Sequence, residues 1–561
     1  MPDTQNLLSQ FYIQLDGSDA PVALMRAVEQ ISVESSLHLP DVATLVVHDP
    51  GLQWIDADQL APGTAVVIAA QADNNQHTIF EGEIVEIEPE LGIGTQKVIV
   101  RAFDRMHRLN RGRHVRSFLN VSDTDLVQRA AQEVGLQVKA DPTRTVHPYV
   151  LQANETNLAF LQRRAAALGY LIYVRGSTIH FGVPASEPGE PVELEWGDTL
   201  TTFSPRLTTI GQFNTVTVRS WDSQAKRSIV GQAEKGKSIP QVGESQNGGE
   251  LAQKAFNLTA QDLLPDCRVR SQDAAALLAQ AIADRHASRF IEAEGSCLGI
   301  PQLIAGTPVK VNGVGRRFSG TYLATSVTHQ YDAEAGYVTT FTVSGLNPAT
   351  LFSLLIPEEP EATAPPGLVI GIVTNSRDPE GMGRVKVKFP WLTDEHESDW
   401  ARIVTLGGGA TRGFHLLPEV NDEVLVGFEQ GDIQQPYVIG GLWNGQDKPS
   451  GGKDLVSGDG KVQKRVLRSR TGHEIVLDDS DSGGVTISDS KGNKIRLNSR
   501  DNSLTIESQG DMTLTTQGNL ALKARGNLSL EAQGRTEVKG TDVKVDGAAT
   551  VDVNGGIINL N

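Results

Sequence analysis

Three stretches of this chain hold residue types at spacings that chemistry could use. His473-Glu474 supplies half of a His-Glu-x-x-His zinc-hydrolase pattern, in which two imidazoles bind the metal and the Glu acts as general base. Leu477 stands where the second His belongs, and the surrounding residues read as strand, so the pair is surface structure. Asp479-Ser480-Asp481-Ser482-Gly483-Gly484 begins like a calcium loop, but Ser490 occupies the position of the bidentate Glu. A turn with solvated carboxylates is the better reading. Gly313-Val314-Gly315-Arg316-Arg317-Phe318 lacks the third glycine of a dinucleotide fingerprint and is not followed by a capped helix, so it reads as a hairpin turn. Cys267 and Cys297 are too few for a zinc site with four thiolates and fit buried thiols in a reducing cytosol. These residues assign no catalytic, cofactor-binding or metal-binding role.

A different spacing carries physical meaning. After Trp443 there is no Phe, Tyr or Trp, and glycine recurs every eight residues at Gly510, Gly518, Gly526 and Gly534. Met512 and Leu514, Leu520 and Leu522, and Leu528 and Leu530 follow at the same offsets, so each octad sets two apolar side chains on one face of a strand. The glycines are expected at corners with positive φ. The phase slips near Gly540, after which Val543/Val545 and Val551/Val553 repeat. One strand of such octads covers neither its apolar stripe nor its backbone edges, so it must stack with copies of itself or with other chains. An antiparallel meander fits poorly from Asp501 onward, because the segments are short, Pro is missing and hairpin dipeptides are few. The expectation is an intertwined β-helix of several chains. About seven octads stacked at about 4.7 Å give a needle about 35 Å long.

The elements that must carry this device are bounded by length and charge. At 561 residues the chain has room for three or four units with sizeable cores. Met1 to Gly17 has no basic opening and no uninterrupted apolar run, so neither a signal peptide nor a membrane span is expected. A formal charge of -18 argues against a nucleic-acid partner, which would need clustered Lys and Arg.

The chain is expected to be mainly β, with an α+β hub over residues 1–355. Ser122 caps a helix ending at Gly135, a second runs from about Glu155 to Gly169, and an alanine-rich third covers Ala274 to Arg289. Residues 356–366 form an acidic, Pro-rich linker. Residues 367–449 offer five short strands: Leu368 to Val373, Arg384 to Phe389, Trp400 to Thr405, Asp422 to Phe428 and Tyr437 to Leu442. Five strands in so short a stretch point to an OB-type barrel. With seven Lys and Arg against twelve acids, a net of -5, that barrel lacks the positive track of a single-strand binder. A neck over 450–500 and the needle over 501–561 follow.

Several of these stretches closely resemble the VgrG-type spike proteins of contractile injection systems, whose phage counterparts divide the same parts between a hub and a spike protein. The resemblance is carried by Gly383-Arg384-Val385-Lys386-Val387-Lys388-Phe389-Pro390-Trp391, Trp400-Ala401-Arg402, the run Pro418 to Asp432, and Gly440-Gly441-Leu442-Trp443-Asn444-Gly445. In the hub Ala102 to Leu109, Gln152 to Leu161 and Val218 to Asp222 are similar, and Arg470 to Ile475 matches the start of the family's neck. The resemblance covers essentially the whole chain.

It implies a homotrimer whose hub carries two tube-like β domains per chain, so that a three-fold spike sits under a six-fold tube. The implied partners are a hexameric inner-tube protein, baseplate proteins, effector cargo and a PAAR-type tip protein docked at Gly555, Gly556, Ile557, Ile558 and Leu560. It also implies assembly from the bacterial cytoplasm into a contractile particle. Ser450 to Val466 is a short linker where some relatives hold a lysozyme domain, and the chain stops at Asn561, so no catalytic domain is expected. The alternative from a different class is a spike with an added cell-wall hydrolase activity, which would require a cleft with paired carboxylates.

Overall fold

The computed structural model describes residues 11–72, 75–183, 190–237, 240–265, 269–332, 336–346, 367–481 and 483–559. The expected linker at 356–366, Cys267 and Leu560 lie outside them. The chain divides into one unit of Met1–Asn444 and another of Gly445–Asn561.

The first unit is organised by one antiparallel sheet of eleven strands. Phe11–Leu15, Ser18–Asp19, Val28–Ser36, Val42–His48, Ala65–Ala72, Asn75–Gly92 and Thr95–Phe103 make one half; Leu200–Leu207, Ile291–Leu298, Ser326–Asp332 and Gly336–Val343 make the other. The halves join where Ser326–Asp332 pairs with Val28–Ser36, placing His329 opposite Val33 and Tyr331 opposite Ile31. The two halves therefore share a single hydrogen-bonded sheet. Alternation along the strands buries one side of each half, in a core around Val33, Leu45, Ile68 and Val100 and in another around Leu194, Phe290, Tyr322 and Phe341.

Among the described residues five α-helices interrupt the hub: α1 (Val22–Ala27), α2 (Asp123–Glu133), α3 (Asn157–Leu168), α4 (Gly248–Phe256) and α5 (Gln272–Ser288). α2 starts in a capping box between Ser122 and Asp125, and α3 is capped by Thr156 and ends at Gly169 with φ 71°. α2 and α3 pack with the antiparallel pair of His114–Val121 and His147–Glu155 around Leu126, Phe160 and Leu161. In α5, Ala275, Ala279 and Ala283 recur every four residues and lie against Val216, Val218 and Ile229. A Cβ on Gly231 would sit 2.1 Å from the Ala275 carbonyl carbon, so this helix needs small residues on both surfaces.

Five strands form the barrel sheet in the order Lys386–Lys388, Val369–Asn375, Glu423–Phe428, Pro436–Gly441 and Arg402–Ile403. A bridge between Val385 and Ala401, with backbone bonds of 3.0 and 2.7 Å, links the first of these to the last. Val387, Phe389, Val424, Val426 and Val438 fill the interior. Gly313 and Gly315 lie in the turn between the antiparallel strands Pro308–Asn312 and Gly320–Leu323.

In the second unit, Lys464–Arg468, Glu474–Asp478, Gly484–Ser488, Lys494–Asn498 and Ser503–Glu507 form a five-stranded antiparallel meander. The meander thus extends beyond Asp501, where the sequence analysis disfavoured one, because Asn502 at φ 56° supplies a tight turn. From Asp511 to Asn559 the single chain forms no strand, so an intertwined β-helix is not present within one chain.

Candidate functional site

The features of this chain that invite a function are surfaces. One is internal to the first unit. Strand His147–Glu155 turns Tyr149, Leu151 and Ala153 away from the hub core and into the core of the barrel, beside Val373, Val385 and Ile433. The Tyr149 hydroxyl donates to the Glu397 carbonyl at 2.9 Å, and Arg270 pairs with Asp399 at 2.7 Å. Burial and the nearby carboxylates Asp399 and Glu397 push the Tyr149 hydroxyl well above its ordinary pKa, so it remains a donor. On the barrel, Arg384 binds Asp378 at 2.7 Å and holds its carboxyl down to about 2; the same carboxylate accepts from the amides of Glu380, Met382 and Arg384. That loop is fixed by charge-assisted bonds rather than by apolar contact.

A second surface is the meander. Cross-strand partners in an antiparallel sheet share a face, as do residues two apart. Leu467, Ile475, Ile487, Ile495 and Ile506 therefore form one row across all five strands. Leu477, Val485, Leu497 and Leu504 form a parallel row on the same face. Except for half-buried Val485, all of these side chains are exposed in the single chain. The opposite face is more polar, with Thr486, Arg496 and Thr505 in line with Val466 and Val476. An ion pair of Lys494 with Glu507 at 2.8 Å lies on this polar face, and exposed pairs of this kind add little stability. These rows went unread in the sequence. Their signal is a pair of apolar residues two apart, repeating after ten, ten and nine residues at Ile475, Val485, Ile495 and Leu504.

The octads continue that pattern at a period of eight. Met512, Leu514, Leu520, Leu522, Leu528 and Leu530 are all exposed, with Leu514 at 71%. Gly510, Gly518, Gly526 and Gly534 each fall in a bend, yet none has positive φ, which corrects the expected left-handed corners. A Cβ on any of the four would meet nothing within 4 Å in the single chain. At the end, Val551, Val553, Ile557 and Ile558 are also exposed, with Gly555 and Gly556 between them. Among the described residues no three His, Cys, Asp or Glu side chains gather in a way that could hold a metal. No helix among them is long and apolar enough to cross a membrane.

Comparison with known proteins fits this layout. Residues 369–443 match the type VI secretion system/phage-baseplate injector OB domain, and residues 5–333 match the Alg8 N-terminal domain. Over 70 residues, 12% of this chain and 9% of the relative, the sequence is 41% identical to the type VI secretion system spike protein VgrG5 of Pseudomonas aeruginosa. The chain thus spans under a tenth of that relative's length in the matched segment. An E. coli type VI secretion component, described as similar to the T4 bacteriophage tail proteins gp27 and gp5, superposes with a TM-score of 0.51 at 16% identity, covering 77% of this chain and 99% of that one. A chain of the Francisella PdpA-VgrG complex gives 0.55 at 10% identity, covering 90% and 89%. The barrel is thus an injector OB domain of the type VI secretion and phage-baseplate kind, and the chain shares the fold of these type VI secretion chains. Over more than half its length the chain belongs to the family described as the Alg8 N-terminal domain.

Proposed function

We propose that this chain is the non-enzymatic spike and hub of a contractile injection apparatus and works as a homotrimer. The observation that carries this reading is the bare apolar stripe of the second unit. Two rows on the meander and two residues per octad leave about twenty large apolar side chains uncovered in one chain, far more than a stable monomer leaves in one band. Three copies related by a three-fold axis would turn those faces inward together. Beyond Glu507, where the strand ladder within the chain ends, an intertwined β-helix would pair the octads between chains. The open space at the octad glycines fits this, since their lack of a side chain serves no contact within the chain.

The remaining roles rest on the class. The hub would nucleate a hexameric inner tube and contact baseplate proteins, and the needle would lead through the target envelope. A PAAR-type protein would cover the apolar end at Gly555, Gly556, Ile557, Ile558 and Leu560, with effector cargo carried alongside. The particle would be assembled in the bacterial cytoplasm. That a relative's structure is a PdpA-VgrG complex supports a partner bound to the spike. Mass photometry of the purified chain is expected to report three copies, and truncation before Asp501 to weaken the trimer. A stable monomer of the full chain refutes the reading.

A further inference from the structure

From the barrel edge the chain leaves the strand Arg402–Ile403 and makes an excursion through residues 404–416 before re-entering at Leu417. Every residue of it is exposed. It is a slender hairpin, with Gly408 opposite Gly413 and Gly409 opposite Arg412, closed by the Phe414 amide on the Gly407 carbonyl at 3.1 Å. Three consecutive glycines make its backbone thin, yet it carries Leu406, Phe414 and Leu416, with Leu406 at 93% exposure. A hairpin of two short rungs with no core is marginal by itself. Such apolar content on an uncovered arm calls for a receiving surface.

The same barrel holds a matching surface elsewhere. On its outer face Leu368, Ile370 and Ile439 are exposed and Leu425 is half-buried. Between them the floor is glycine. A Cβ on Gly427 would sit 3.3 Å from the Leu368 Cδ2 and 3.4 Å from the Ile439 Cδ1, and one on Gly440 would meet nothing within 4 Å. The result is a shallow apolar groove with two missing side chains at its base. Charge agrees with shape: the arm contains no acid and carries Arg412, while Glu423 lies on the same outward strand face as Leu425 and Gly427.

We infer that the arm of residues 404–416 seats on the Gly427 groove of a second copy of this chain. Arm and groove are different patches of one barrel, so the contact is heterologous, and a heterologous contact that closes generates a ring rather than a two-fold pair. The arm would thus latch the barrels of the trimer to one another head to tail. This rests on the trimeric reading but uses no residue of the second unit.

Cysteine cross-linking of the full-length particle tests it. Leu406→Cys combined with Ile439→Cys is expected, under mild oxidation, to give dimer and closed-trimer bands on a non-reducing gel, while either single variant and the parent chain give monomer. Adding Gly427→Leu, which fills the floor against flexible side-chain ends, is expected to abolish the cross-link without dissociating the particle. A particle that sediments as a trimer yet shows no cross-link between chains, or only a faster-migrating monomer linked to itself, overturns the latch and leaves the trimer standing. A particle that sediments as a monomer overturns both.

Discussion

Ile487→Asp separates what one chain does from what an assembly does. Ile487 lies on the central strand of the meander, flanked across the sheet by Ile475 and Ile495, and is 45% exposed in the single chain. Within that chain the substitution removes two apolar cross-strand pairs, at about 0.2–1 kcal/mol each. Full burial of an Ile contributes about 1.5–3 kcal/mol, and since about half is already achieved, about 1 kcal/mol per chain is left for assembly to gain. The carboxylate weighs more, because removing an ion from water costs several kcal/mol even after relaxation. Three copies would converge in one layer and repel, so the loss in a trimer is on the order of 10 kcal/mol. Thr486→Asp, one residue away, faces the other side and sits opposite Arg496, so it should be neutral or slightly stabilising. Sedimentation velocity and thermal melting of both variants provide the readout. Ile487→Asp should be largely monomeric at neutral pH. It should regain trimer on acidification, because crowding would raise the introduced carboxyls and protonation would relieve the repulsion. Equal behaviour of the two variants, or a trimeric Ile487→Asp melting like the parent, refutes the inward assignment of this face.

Three further outcomes follow from other parts of the molecule. Deleting Gly556 to Asn561 should leave the trimer intact but abolish retention of a tip protein in pull-down and impair injection; normal injection would remove the docking role. Leu151→Ala, at a hub residue inside the barrel core, should cost about 2–4 kcal/mol and loosen the barrel, read as earlier barrel unfolding in hydrogen exchange while the eleven-stranded sheet stays protected. Hub stability should also depend on pH from both sides. Burial lowers His329 to about 4, so its share of stability is intact above about 6.5 and declines as pH falls toward 4, whereas burial raises Asp41 to about 7 and Asp104 to about 8, so their share is full below 3.8 and lost as pH rises through 7 and 8. Two raised carboxyls outweigh one lowered imidazole, so urea midpoints should fall from pH 4 toward pH 8, less steeply below about 6.5 where His329 opposes the loss, and Asp104→Asn should flatten the decline.

Local chemistry made much of the fold legible. Ser122, Thr156 and Gly169 mark helix ends because caps depend on neighbours in sequence, and the five barrel strands declare themselves by alternation. α4 was hidden because Asn247 is followed by two glycines, which read as loop, and α1 because no side chain caps it. The union of the two hub halves depends on pairing Ser326–Asp332 with Val28–Ser36 and leaves no local trace, and Tyr149 meets Glu397 across 248 positions. The meander rows escaped notice because their hairpins stretch the spacing to ten and nine, while the octads keep a strict eight. The octad glycines show the reverse failure, since glycine suggested a left-handed turn that the backbone does not use.

The seam where Tyr149, Leu151 and Ala153 enter the barrel has a mechanical corollary. A thrust delivered to the hub would pass into the barrel as compression across packed side chains and the Arg270–Asp399 pair. A joint loaded in this way does not need to be covalent. Hub and barrel encoded as two separate polypeptides would still find one another through the same buried surface. The fusion of both into one gene product then secures equal numbers of each rather than the strength of the coupling.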